Sequence, residues 1–279
     1  RELPEMNLAC SGIAPKGKVE DWVKLVGNVK DPVEKARMEN GMKMLYQHFQ
    51  LAPELGSLLD PTTIKADAFT ASFEELQPVL KKALENEGDT EQLERGVMAA
   101  GIAKAGQLLA NKYTLQITNV PYLEKGKQGD ILANYSLKYF PEGKGDLATV
   151  FLEKLLKSNS YPSGLVCSVI PQNWIFQPTY KKYRAKLLSE FTLQYVVTLG
   201  AKGFQTPMWD FNVMLISLGR RMPINSRFFG FDLSQYKTPL DKALHIKCEN
   251  VSILSQNNQK SNPDSRIILN TQKEGELLS

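Results

Sequence analysis

Residues 117–122 read "ITNVPY": an apolar strand ending that runs straight into Asn119, Val120, Pro121 and Tyr122. The residues before the corner, "YTLQIT" (113–118), have the content of a strand. Asn and Pro both favour turns, so a strand closed by an ordinary turn accounts for the letters. A second reading gives the corner a chemistry. The Asn119 amide oxygen and the Val120 backbone carbonyl are two acceptors on a stiff Val-Pro peptide, and together they can grip both hydrogens of one amino group. That grip draws electron density toward the nitrogen as it becomes tetrahedral, so the amine can attack an electrophilic methyl without a strong base. Tyr122 adds a flat apolar face on which a planar base or amide can stack. In an open α/β sheet, ligands bind beyond the carboxyl ends of strands, and this corner lies there.

Downstream, helical and strand patterns alternate. "DLATVFLEKLLK" (146–157) is an amphipathic helix that Asp146 can cap, and "GLVCSVI" (164–170) is an apolar run of strand length. "PTYKKYRAKLLSEF" (178–191) is a helix opened by Pro178, followed by the strand "LQYVVTL" (193–199). "FNVMLISL" (211–218) is a further strand reached through a loop without helical pattern. The alternation predicts a mostly parallel α/β sheet of βαβ units with helices on both faces, and the last strand predicts an antiparallel hairpin at one edge. "EKGKQGD", after Tyr122, reads as a polar loop able to move, and 255–266, "SQNNQKSNPDSR", as a loop at a domain border.

Upstream, residues 6–10, "MNLAC", suggest a short buried strand. "DPVEKARMENGMKMLYQHFQ" (31–50) is a helix with Asp31 as cap, Pro32 in the first turn, and Met38, Met42, Leu45 and Phe49 toward the core. Two more helices are expected near 72–86 and 90–110, joined by the exposed turn "ENEGDTE".

Bulk composition excludes several classes. A 279-residue chain with 42% hydrophobic and 23% charged residues can build a core without staples. Its 34 basic and 30 acidic residues leave a net charge of only +4, which neither demands nor forbids a polyanionic partner. Cys10, Cys167 and Cys248 are scattered without a CxxC pair, against a disulfide framework or zinc module and in favour of a reducing compartment. His48 and His245 supply no convincing metal cluster and lie near no obvious nucleophile. No apolar run approaches the roughly 18–20 residues of a membrane span. The chain starts without methionine and ends in mid-phrase, which reads as a piece cut from something longer.

"ITNVPYLEKGKQGD", "KGDLATVFLEKLLK", "GLVCSVIPQNWIF", "YKKYRAKLLSEF" and "FQTPMWDFNVMLISL" follow one another in this order and spacing. Together, from about Ala105 to Arg221, they resemble the catalytic half of a large class I, S-adenosyl-L-methionine-dependent DNA adenine-N6 methyltransferase. The look-alikes are the long fused enzymes of restriction–modification and BREX-type phage-defence systems. The resemblance implies a Rossmann-like methyltransferase fold whose N-terminal strands lie upstream of residue 1. It implies a partial catalytic domain over 1–225, with a helical insertion at about 20–110, and an extension over 226–279 toward a target-recognition region.

On that resemblance, Asn119, Val120, Pro121 and Tyr122 stand in the family's Asn-Pro-Pro-Tyr motif. Asn119 would bind the target amino group and Tyr122 would stack on a flipped-out adenine. Val120 departs from the family's proline but keeps the carbonyl. Phe204 is the candidate clamp on the base, with Trp209 as rival, and Trp174 and Phe176 of "IPQNWIF" are further candidates for contact with it. Asp146 heads a helix that lies near the cofactor in relatives. Ser11 is the positional candidate for the cofactor's adenine, and Asp67 the alternative. Lys125 and Lys127 would face the backbone of double-stranded DNA; Lys181, Lys182, Arg184, Arg220 and Arg221 could do so or form solvated surface.

The family's glycine-rich cofactor loop is absent from the sequence, so it is expected upstream of Arg1, in the remainder of a longer polypeptide, and the piece alone should not methylate. The resemblance implies a cytoplasmic bacterial or archaeal enzyme that transfers the methyl directly, with no metal and no membrane partner. Two other readings stay open: a protein glutamine-N5 methyltransferase, whose substrate amide also fits such a corner, and a noncatalytic DNA-binding remnant.

Overall fold

The computed structural model describes residues 6–64, 67–82, 90–157, 160–205, 211–248 and 251–269. The chain forms two compact units, Arg1–Asn111 and Lys112–Ser279.

The first unit is helical: α1 (Val19–Val23), α2 (Pro32–Gln50), α3 (Ala52–Leu55), α4 (Phe73–Lys82) and α5 (Thr90–Ala110). Helix α2 begins as the sequence predicts. The Val33 N–H donates to the Asp31 side chain at 2.9 Å, Pro32 occupies the first turn, and Met42, Leu45 and Phe49 are buried. Gly41 lets α2 approach the Ala71 backbone so closely that a Cβ there would lie 2.6 Å from the Ala71 carbonyl oxygen. Residues 6–10, expected as a buried strand, are exposed and pair with no described strand. Among the described residues, the Arg1–Asn111 unit contains helices and no strand for this stretch to pair with. Most of the expected turn at 85–91 lies outside the described residues.

The second unit carries six strands: β1 (Tyr113–Asn119), β2 (Ser160–Pro171), β3 (Thr192–Gly200), β4 (Val213–Gly219), β5 (Arg227–Asp232) and β6 (Ser252–Ser255). Their order across the sheet is β1-β2-β4-β3-β5-β6. Pairs β1–β2 and β3–β5 are parallel, while β2–β4, β3–β4 and β5–β6 are antiparallel. Strands β1, β2, β3 and β5 therefore run in one direction, with β4 and β6 against them. The expected hairpin is β3–β4. Strand β4 lies inside the sheet between β2 and β3, and β5 and β6 continue the sheet past residue 225.

Helices α6 (Asp130–Tyr139), α7 (Leu147–Lys157), α8 (Lys181–Glu190), α9 (Pro239–Cys248) and α10 (Gln256–Ser261) complete the unit. Residues of α7 and α8 pack with Val166, Ile170, Leu193 and Val196 in the larger core. Residue Ile246 of α9 packs with Val197, Leu199, Val213 and Leu233 in a second cluster on the other sheet face. Two segments expected as loops differ. Residues 256–261 form α10, whose buried Gln256 bonds the Leu188 and Phe191 carbonyls and accepts from the Leu193 N–H. The loop after Tyr122 is a single 3-10 turn, Lys125–Lys127, leading into α6. Among the described residues, no helix is long and apolar enough to cross a membrane.

Candidate active site

Strand β1 delivers the corner. It runs parallel to β2 with Asn119 opposite Val169, and Asn119 is its last residue. The next side chain, Val120, is 5% exposed in the larger core, and this buried anchor fixes the peptide that carries the second acceptor carbonyl. Asn119 and Pro121 are exposed. Tyr122 is half-buried against both core clusters, and its Oη donates to Asn119 Oδ1 at 2.9 Å. That bond aims the amide and occupies one lone pair of its oxygen; the second lone pair stays open for an incoming N–H. Burial, with the nearby Asp146 charge, pushes the Tyr122 phenol up to about 12, so it remains a donor at neutral pH.

The chain after Tyr122 is zipped onto the start of α7. Leu147 N–H donates to the Leu123 carbonyl at 2.9 Å and Lys125 N–H to the Gly145 carbonyl at 3.0 Å. Asp146 Oδ1 accepts from the Ala148 N–H at 2.8 Å and from the Leu123 N–H at 3.4 Å. It therefore caps α7 and straps the corner to it at once. Burial pushes the Asp146 carboxyl above its ordinary value, and the two backbone N–H groups pull it back. Beside this strap opens a cleft of about 630 Å³, whose lining includes Lys125, Lys144, Asp146, Asn173, Tyr180 and Lys182.

A strand-end Asn-x-Pro-Tyr corner, its asparagine oriented by its own tyrosine, is thus in place. Residues 24–204 match the Eco57I restriction-modification methylase family. The chain belongs to that family. It is 32% identical over 160 residues to the adenine-specific methyltransferase BrxX of Escherichia coli O9:H4 (strain HS), covering 56% of this chain and 12% of that protein. It is 30% identical over 104 residues to the adenine-specific methyltransferase PglX of Lacticaseibacillus casei (strain Zhang), covering 37% of this chain and 8% of that protein. The chain thus spans only about a tenth of the curated relatives it matches. Among solved structures, it is similar to a nuclease-deletion mutant of the Type ISP restriction-modification enzyme LlaGI in complex with a DNA substrate mimic. That match has 15% identity and a TM-score of 0.46, over 68% of this chain and 20% of the other.

Within this methylase-family chain, the other expected site residues are dispersed. Trp174 is only 1% exposed and packs edge-on against Tyr183 at 5.5 Å, so neither ring face is offered to a base. Phe176 is exposed. Phe204 is exposed on a groove with Leu240 and Ile246 of α9. Trp209 lies outside the described residues. The aromatic beside Tyr122 is instead Phe211, its ring centroid 6.1 Å away at 52°. In the sequence Phe211 opens the apolar run 211–218, where an aromatic reads as core; its 49% exposure is a tertiary fact.

Ser11 and Asp67 belong to the helical unit, where Ser11 Oγ shares a hydrogen bond with Ser57 Oγ at 2.9 Å and Asp67 accepts from the Phe69 N–H at 2.8 Å. Asp146 is engaged by backbone as described. At the corner, Asn119 Oδ1 and the Val120 carbonyl form an acceptor pair that an amino group fits, while Ser11, Asp67 and Asp146 each make the hydrogen bonds described. Lys125 and Lys127 are exposed, with Lys127 3.8 Å from Glu124. Arg184 is not a surface cation: it is fully buried and its guanidinium donates to the Trp174, Gln177 and Asp264 carbonyls. The Arg220 guanidinium is likewise held by the Ser160 carbonyl.

Proposed function

We propose that the chain is the acceptor-side part of the catalytic domain of a site-specific DNA methyltransferase. The enzyme would methylate the N6 amino group of a flipped-out adenine in double-stranded DNA, within a cytoplasmic restriction–modification or phage-defence system. The Tyr122–Asn119 bond at the end of β1 carries this reading. With the amide aimed, Asn119 Oδ1 accepts one amino hydrogen and the Val120 carbonyl the other, which leaves the nitrogen lone pair free to form the new N–C bond. S-adenosyl-L-methionine would supply an electrophilic methyl group. The amino proton released after transfer passes to solvent, since both protein acceptors are neutral oxygens. Tyr122 and Phe211 offer ring faces to an extruded base. Residues 1–225, with the helical part at about 20–110, would belong to the catalytic domain, and because β5 and β6 continue its sheet, 226–279 would begin inside that domain before leading toward a target-recognition region.

A glutamine side-chain amide could occupy the same corner, so a protein methyltransferase is the second reading. The relatives favour adenine, since both are adenine-specific methyltransferases by name. The test is Asn119→Ala in the complete protein, with N6-methyladenine in treated DNA read by mass spectrometry. Loss of at least a hundredfold in rate with an unchanged melting temperature is expected, on the scale of removing one aimed hydrogen-bonding group from a reaction centre, about 10²–10³. Full activity in Asn119→Ala would remove Asn119 from the chemistry. Absence of methylation by the intact protein would favour a noncatalytic role.

A further inference from the structure

We propose that the cleft beside the corner, between residues 124–126, 141–146 and 173–182, is a seat for a phosphate group. The inference deepens the DNA-methylating reading and rests on it for the case in which the phosphate belongs to DNA. Three lysines from three separate segments, Lys125, Lys144 and Lys182, line this one cavity. None of their ammonium groups has an ion pair or hydrogen bond among the described residues. The carboxylates around the same cavity are already engaged. Glu142 is 3.0 Å from Lys186 Nζ, Glu124 is 3.8 Å from Lys127 Nζ, and Asp146 accepts two backbone N–H groups. With Glu142 and Glu124 each beside a lysine from outside the lining, three lysine charges face the single charge of Asp146, which leaves a positive balance for an anion to offset.

Neutral donors complete the lining. Asn173 and Gln177 bring amide side chains, and Tyr180 brings a phenol that burial pushes up to about 12 and so keeps protonated. The walls are held before any ligand arrives. The bond from Lys125 N–H to the Gly145 carbonyl ties two of the segments together. Arg184 fixes the third by gripping the Trp174 and Gln177 carbonyls, each at 2.6 Å. Lys125 follows Tyr122 by three residues, and Asp146 on the cavity wall also accepts the Leu123 N–H beside that tyrosine. Lysine recognises phosphate as a compact point charge, which suits the phosphodiester of a strand or the terminal phosphate of a free nucleotide.

The test uses the complete protein and the double variant Lys144→Gln/Lys182→Gln. Lys182 is exposed and Lys144 half-buried, and a melting curve confirms that both proteins fold. A control variant, Lys43→Gln/Lys260→Gln, removes the same charge from exposed positions outside the cleft. Duplex DNA binding is followed by fluorescence anisotropy over a salt series. Binding of inorganic phosphate and of ATP is followed by phosphorus NMR line broadening.

Loss of one phosphate contact lowers the slope of log affinity against log salt by about 0.9, and affinity near 0.1 M salt by about tenfold. A reduced slope in the cleft variant but not the control supports the seat with DNA as the source. Line broadening present in the unmodified protein and lost in the cleft variant supports it with a free phosphate or nucleotide as the source. Unchanged slope together with unchanged broadening overturns it. Neither readout passes through methyl transfer, so failure of the seat and failure of the adenine reading at Asn119 remain separate results.

Discussion

Replacing Arg184 by methionine tests whether the floor of the site depends on a buried cation. The guanidinium is fully buried, and its four N–H bonds reach three carbonyls: Trp174 at 2.6 Å, Gln177 at 2.6 Å, and Asp264 at 2.9 and 3.1 Å. It forms no ion pair among the described residues, and burial lowers its pKa, so desolvation offsets part of what these bonds contribute. A hydrogen bond to a charged group is worth about 1.5–3 kcal/mol net, and each carbonyl left dry costs about 1–3 kcal/mol. Allowing for the relieved desolvation and for non-additivity, Arg184→Met should cost about 3 kcal/mol. In a unit of this size that corresponds to a fall in melting temperature of about 6–12 °C, readable by circular dichroism. Arg184→Lys, which keeps the charge but not the fork, should fall between the two. A melting temperature for Arg184→Met equal to or above that of the unmodified protein would refute the reasoning, because it would mean that burial of the charge outweighs all four bonds.

Tyr122→Phe removes the bond that aims the Asn119 amide; stability should drop by no more than about 1 kcal/mol, while the initial rate of adenine methylation falls about tenfold. An unchanged rate would show that the amide needs no orienting partner. Glu142 is held below the usual carboxylate range, first by its hydrogen bond from Lys186. Its folded value therefore lies below its unfolded one, and its stabilisation is present above the unfolded pKa and lost as pH falls through the folded pKa. Urea melts between about pH 6 and pH 3 should show Glu142→Gln losing a contribution under about 1 kcal/mol at the upper end, with the difference vanishing at the lower. Gly41→Ala gains about 1 kcal/mol of helix propensity, yet the new Cβ meets the Ala71 carbonyl at 2.6 Å. Because that atom is backbone and cannot turn aside, net destabilisation of about 1–3 kcal/mol is expected in thermal melts.

Elements with strong periodicity were legible in the sequence. Helix α2 carries its cap, its proline and its apolar spacing in the letters, and β2 and β4 are apolar runs too short for helices. Strands β5 and β6 and helix α9 were not. Strands β5 and β6 are short and each gives the larger core one residue, Phe228 and Leu254, so neither shows a pattern long enough to read. Helix α10 reads as a polar loop, since it is held by Ser255 at its cap and by the buried amides of Gln256 and Gln259 rather than by an apolar face. At the site, Asn119 to Tyr122 could be named because four consecutive residues carry the motif. Phe211 could not, because its approach to Tyr122 is made by the pairing of β4 with β2, far along the chain.

The sequence alone determined the local chemistry: a strand that ends on an amide and a Val-Pro peptide, followed by an ordered set of blocks with alternating periods. These follow from residue type and short-range spacing, which act before any distant contact forms. Only the tertiary structure decided which charges and rings are available. It buried Arg184 and Trp174, engaged the Asp146 carboxylate in backbone bonds, and left Lys125, Lys144 and Lys182 around one cleft without an ion pair among the described residues. Burial and pairing depend on what folds back against a residue, and no local pattern of letters contains that. The corner "ITNVPY" is the place where both levels agree, since the buried Val120 and the Tyr122 bond to Asn119 hold in space the two acceptors that the letters put side by side.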